Sequence, residues 1–134
     1  MNCLIASGPV IIEKNKVLLA KHGHDNFWKF IGGKVESSDL KKKDPLQYAC
    51  CREAKEELGV DLDIIKPLKP MLIKKPGSPK TVILLIHFLA KKTNKIKPGK
   101  DIIDWNWFNI NKLPSDCAPN IRPVVKQYLE TKKL

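Results

Sequence analysis

Long apolar runs are missing from this 134-residue chain: no stretch approaches the roughly 20 consecutive apolar residues that a membrane-spanning helix needs. The apolar start, "MNCLIASGPVIIEKNK", has neither a basic leader region nor a separate cleavage site, so it is expected to be a first strand. Arginine is almost absent. Of 25 Lys and Arg only Arg52 and Arg122 are arginine, and the lysines are scattered along the whole chain. The formal charge of +11 therefore does not read as a nucleic-acid footprint, which would favour clustered, bidentate guanidinium groups. Small polyanions remain suitable partners. Cysteine is sparse too: Cys3, Cys50, Cys51 and Cys117 include no C-x-x-C pair and have no histidine at ligand spacing, which excludes a zinc ribbon and points to reduced thiols. His22 and His24 fall in "HGHDN", read as a solvated turn in preference to a weak metal site, and His87 in an apolar run reads as a core or interface histidine. What these absences leave is a cytoplasmic globular protein with neither a membrane nor a nucleic-acid polymer as its partner.

What is present is one mixed α/β pattern without repeats or interior linkers, at a length that suits a single domain over 1–134. "LIASGPVIIE" and "KVLLAK" predict two strands joined by a turn at Asn15. "FWKFIGG" predicts a short strand running into paired glycines, and "KVESSDLKKKD" an exposed loop. Asp44-Pro45 is a helix start, a side-chain acceptor followed by a residue with no N–H to lose; Gly59 is the matching stop after Leu58. "DLDIIK", "MLIKK", "KTVILLIHFLAKK" and "IDWNWFNI" predict further strands, "NKLPSDCAPN" a turn with a short helical piece, and "IRPVVKQYLETKKL" an amphipathic closing helix.

One stretch runs against the basic composition. "CREAKEELGV" packs Glu53, Glu56 and Glu57 into five positions, within an arc of about 100° on a helix. Their mutual repulsion disfavours an isolated helix. Leu46, Cys50, Ala54 and Leu58 form the apolar stripe, which Glu53 and Glu57 flank, while Cys51 and Lys55 project to the far side. Carboxylates at the margin of a buried face line a cleft, and convergent carboxylates suit a hard divalent cation such as magnesium.

"GGKVE" at 32–36 followed by "REAKEELGV" at 52–60 resembles the Nudix box, G-x5-E-x7-R-E-U-x-E-E-x-G-U with U aliphatic. "FWKFIGGKVE" resembles the family's W-x-x-P-G-G-x-x-E entry with Ile31 in place of proline, and "WNWFNINKLP" resembles its late tryptophan strand, so the similarity runs along essentially the whole chain. Gly33 and Arg52 stand five positions further apart than the pattern. Counted from Gly33 the first box glutamate falls on Asp39; counted from Arg52 it falls on Asp44, the preferred choice because Asp44 then caps the helix.

The resemblance implies a Nudix fold, a mixed sheet sandwiched between helices, and hydrolysis of a diphosphate linkage in a nucleoside diphosphate joined to another group. It implies Mg2+, with Mn2+ as a substitute, held by Glu56 and Glu57, with Glu53 as a third ligand or base, and with Gly33 and Glu36 as further metal positions. Arg52 is expected to orient the glutamates, Lys34 to lie against a phosphate, and Asp101 to serve as a later-loop base. Phe27, Trp28, Trp105 and Trp107 are candidates to stack on a base, with at least two of the tryptophans expected in the core instead, and Asn120 to bond its edge or to start a helix. The expected substrate is a small nucleotide, first a nucleoside triphosphate (oxidised or not), for a monomer or homodimer. ADP-ribose hydrolysis is the alternative, on Pro76, and a binding module that senses a nucleotide without cleaving it is the rival from another class.

Overall fold

The computed structural model describes residues 1–132. Its first two strands, β1 (Asn2–Glu13) and β2 (Lys16–His22), form a hairpin whose turn residues, Lys14 and Asn15, both have positive φ (49° and 63°). That is the mirror-image turn whose twist matches the strands, and asparagine tolerates the left-handed region better than most residues. β1 also runs parallel to β6 (Thr81–Lys92), from Asn2 opposite Thr81 to Ile11 opposite Ala90. β3, only Gly33–Lys34, pairs with β1; β4 (Leu62–Pro67) and β5 (Met71–Lys74) run antiparallel to β6; β7 (Ile102–Asn109) runs antiparallel to β2. The strand order is β4-β6-β1-β2-β7, with β3 and β5 off that path.

Strand alternation gives this sheet two apolar faces, each needing a cover. Val10, Val17, Leu19 and Leu89 pack under Ile121, Val124 and Val125 of α2 (Ile121–Thr131), together with Trp28 and Phe30. Ile11, Leu18 and Ala20 face the opposite way, under Ala54 and Leu58 of α1 (Pro45–Leu58), and Ile86 and Phe88 meet Cys50 there. The sheet therefore lies between two helices, as expected.

α1 has the predicted ends. The Asp44 carboxylate accepts from the Gln47 N–H at 3.4 Å, Pro45 opens the helix, and Gly59 closes it at φ 67° with its N–H on the Lys55 carbonyl. Ala49, Cys50 and Ala54 are fully buried small side chains that let α1 sit close to the sheet. The Ser7 hydroxyl of β1 donates to the Leu46 carbonyl at 2.6 Å and fastens the helix's first turn.

Three expectations need correction. Residues 27–32 form no strand; one single bridge, Ala20 to Lys29, joins them to the sheet and another, Trp28 to Cys117, to the segment before α2. They cross β1 too closely for regular pairing: a Cβ on Gly8 would lie 2.0 Å from the Ile31 carbonyl oxygen. Residues 36–44 are not simply an exposed loop, because Ser37–Lys41 winds into a 3-10 turn with Asp39 completely buried. Segment 111–120 contains no helical piece. The end of the predicted closing helix, residues 133–134, lies outside the described residues.

Asp39 is buried because its charge is met on every side. It accepts from Arg52 Nε at 3.0 Å, Arg52 Nη2 at 2.9 Å and the Glu36 N–H at 2.8 Å. The hydrogen bonds from Arg52 hold its carboxyl below the ordinary value of 3.8, against the opposing effect of burial. A folded pKa below the unfolded one means that this stabilisation is present above about pH 3.8 and is lost as the pH falls further. Asp39→Asn should therefore destabilise the protein by about 3 kcal/mol at neutral pH, because the guanidinium loses its buried, two-point carboxylate partner. Urea unfolding at pH 7 and pH 3 checks this: the gap between variant and parent should be wide at pH 7 and narrow at pH 3.

Candidate active site

The last two turns of α1 carry Arg52, Glu53, Glu56 and Glu57. Arg52 Nη1 donates to Glu53 at 2.9 Å and reaches Glu56 at 3.3 Å, while Nη2 also donates to the Lys34 carbonyl at 3.1 Å. One guanidinium thus serves Asp39, Glu53, Glu56 and the backbone of β3. The Glu53 and Glu57 side chains are only 13% and 11% exposed, whereas that of Glu56 is 59% exposed. Burial pushes the Glu53 carboxyl up to about 7, despite the Arg52 hydrogen bond, and the negative charges of Glu57 and Glu56 add to the rise.

Glu57 has a different environment. One of its oxygens accepts the Gly32 N–H at 3.1 Å, and the other meets Nε2 of His22 at the end of β2. The paired glycines are required by close approach. A Cβ on Gly32, whose φ is +153°, would lie 2.9 Å from the Ser7 carbonyl oxygen; a Cβ on Gly33 would lie 2.5 Å from the Glu53 carboxylate.

The opposite wall is segment 93–101. A helix end leaves carbonyls without intrahelical donors, and this segment supplies them: Lys97 N–H to Leu58 at 2.7 Å, Gly99 N–H to Glu57 at 2.8 Å, and the Asn94 amide to Gly59 at 3.1 Å. Docked this way, it sets Lys100 and Asp101 facing the glutamates. Between them lies a cleft of about 360 Å³, lined by Glu53, Glu56, Glu57, Gly32, His22, Lys100 and Asp101 among others.

The donors fit a hard cation in kind: carboxylate oxygens whose burial, with a smaller part from the neighbouring negative charges, keeps Glu53 hard to ionise. As placed, no three His, Cys, Asp or Glu among the described residues are gathered closely enough to hold an ion; Arg52, His22 and the Gly32 N–H engage the carboxylates instead.

Of the residues expected from sequence, Glu53, Glu56, Glu57 and Asp101 share the cleft, with Gly33 against Glu53 and Arg52 behind. Glu36 and Lys34 are exposed and do not line it. The base-stacking candidates lie elsewhere. Trp28 is 8% exposed in the α2-side core, edge-on to Phe108 at 4.7 Å; Phe27 packs against that same cluster, and Trp105 against the α1-side cluster. Alternation along β7 turns Trp105 and Trp107 toward α1, while the irregular path of 27–32 lays Phe27 and Trp28 against the α2-side core. Asn120 does not line the cleft; it stands at the N-cap position of α2, where its carbonyl accepts the Val124 N–H at 3.2 Å, while its buried side chain makes no capping bond and instead donates its amide to His87 Nε2 at 3.2 Å. His87 is a core histidine, as expected, and burial lowers its pKa to about 4. The acid that faces Arg52 is Asp39; Asp44, the preferred candidate, only caps the helix. His22 and Lys100 were missed. Counting by twos from Leu18 and Ala20 along β2 places His22 on the α1 face, a signal that was available.

A model of the NUDIX domain matches residues 4–128. The chain is 30% identical over 127 residues to an ADP-ribose pyrophosphatase of Methanocaldococcus jannaschii, covering 91% of this chain and 71% of that protein. It is 28% identical over 132 residues to the NAD-capped RNA hydrolase NudC of Vibrio atlanticus, covering 96% of this chain but only 44% of the relative's length. A MutT NUDIX hydrolase from Burkholderia pseudomallei superposes with a TM-score of 0.81 at 22% identity, over 95% of this chain and 98% of the other, a likeness of fold.

The Gly33 contact yields a test of the cleft's cation affinity. Gly33→Ala must displace the Glu53 carboxylate while leaving an ordinary backbone angle, so the fold should survive. Binding of Mn2+, followed by electron paramagnetic resonance, should weaken about tenfold, with the far-ultraviolet circular dichroism unchanged.

Proposed function

The chain belongs to the Nudix family, and from that premise we propose that it is a cation-dependent pyrophosphohydrolase cleaving the diphosphate linkage of a nucleoside diphosphate joined to a second group. The observation that carries this reading is the convergence of Glu53, Glu56 and Glu57 with Asp101 in one cleft. A diphosphate is densely anionic, and attack by water builds further charge on the phosphoryl oxygens. Magnesium, or manganese in its place, held by Glu53, Glu56 and Glu57, would neutralise that charge and acidify a bound water. Arg52 holds Glu53 and Glu56 against their mutual repulsion. Two carboxylates can take the proton of the attacking water: Glu53, where it serves as base and not as the third ligand, or Asp101 across the cleft. Lys100 adds a cationic wall for the leaving phosphate.

Three retained glutamates speak against a purely sensing module. The relatives' names concern an NAD cap and ADP-ribose, both of which contain a diphosphate between a nucleoside and another group. No helix among the described residues is long and apolar enough to cross a membrane, which accords with a cytoplasmic enzyme on small nucleotides.

The test is product release from nucleoside triphosphates (ordinary and oxidised), ADP-ribose and NAD. Hydrolysis should stop in excess chelator and return with Mg2+ or Mn2+, and Glu57→Gln should lower turnover by at least about 100-fold. Full activity in chelator, or a fully active Glu57→Gln protein, would overturn the reading.

A further inference from the structure

The three glutamates are not held alike. Glu53 and Glu56 lean on Arg52, whereas Glu57 has no arginine: its oxygens go to the Gly32 N–H and to His22 Nε2. One donor on each oxygen fixes both the reach and the plane of a carboxylate, and leaves lone pairs on both oxygens free toward the cleft. Both partners are shielded, with side-chain exposures of 23% for His22 and 11% for Glu57, so water is poorly placed to replace the imidazole.

The His22 side chain makes no other hydrogen bond. Its Nδ1 is buried without a hydrogen-bond partner, an arrangement that costs stability. The one hydrogen bond of its side chain goes to Glu57. Its own placement is braced from the strand. The β2–β7 register slips opposite it, with the extra residue, Ile103, on β7, so that β2 keeps its alternation through His22, and the next residue, Gly23, donates its N–H to the Asp101 carbonyl at 3.0 Å. His22 is thus tied to both walls of the cleft.

We propose that His22 is a positioning residue: its Nε2–H holds Glu57 in the orientation that receives the cation, the counterpart for Glu57 of what Arg52 does for Glu53 and Glu56. This rests on the cation-dependent reading of the cleft given above.

The experiment compares the full chain, His22→Leu and His22→Gln at one fixed pH, following Mn2+ binding by electron paramagnetic resonance and unfolding of the metal-free proteins. His22→Leu should weaken Mn2+ binding by about 10- to 100-fold with little change in melting temperature. His22→Gln, whose amide can donate at similar reach, should recover most of the affinity. Three results overturn the inference: unchanged affinity in His22→Leu, a fall in melting temperature with affinity intact in both variants, or pulsed-resonance coupling of an imidazole nitrogen to bound Mn2+, which would make His22 a ligand itself. If the unsubstituted protein binds no Mn2+, the functional reading falls, and this inference with it; if that protein binds the ion and His22→Leu binds it equally well, only the inference falls.

Discussion

The guanidinium of Arg52 is the contact on which the rest of the site depends. It is one of two arginines in a lysine-rich chain, and its fork reaches four acceptors on three separate elements: Asp39 of the 3-10 turn, Glu53 and Glu56 of α1, and the Lys34 carbonyl of β3. A lysine ammonium could not serve so many planar acceptors at once. The same hydrogen bonds that bury Asp39 close the loop between β3 and α1, so the insertion in this loop is anchored at its middle. They also let three carboxylates crowd into one helix end, with Glu53 held in an environment where burial resists its ionisation.

The helix carrying the glutamates is finished by other parts of the chain. Its last carbonyls accept from segment 93–101, and a Cβ on Gly99 would lie 2.6 Å from the Glu56 carbonyl oxygen. The acceptors that any helix leaves over at its C-terminus are here the attachment points for the second wall of the cleft. Fold and site are therefore one set of hydrogen bonds, and a change in the segment's backbone is felt at the glutamates without touching their side chains.

Local signals were legible in the sequence, and long-range ones were not. The ends of α1, from Asp44-Pro45 to Gly59, follow from capping chemistry within a few residues, and the acidic cluster follows from helical spacing alone. Apolar strands such as β1, β2 and β6 announce themselves by composition. Asp39 did not: nothing local marks an aspartate between serine and leucine as buried, because its partner lies 13 positions away and its burial arises only when Arg52 arrives. The aromatic residues misled for a related reason. Trp28 has the chemistry to stack on a base, and which face it occupies is decided by the crossing of 27–32 over β1 and by the contact with Phe108, neither visible in the neighbouring residues. Asn120 likewise took its role from His87, which lies on a distant strand.

The parallel pairing of β1 with β6 has a consequence for how the protein is made. Asn2 finds its partner at Thr81, so the first strand can form its hairpin with β2 early but must wait for more than half the chain before its longest ladder closes. Such distant pairing slows folding and leaves an unpaired strand edge exposed in the interval. On a ribosome the glutamate helix would emerge before the strand it packs beside is locked, and segment 93–101 would come later still. The two walls of the cleft thus arrive far apart in time, and a nascent or truncated chain ending before segment 93–101 would carry the acidic cluster with no opposing wall.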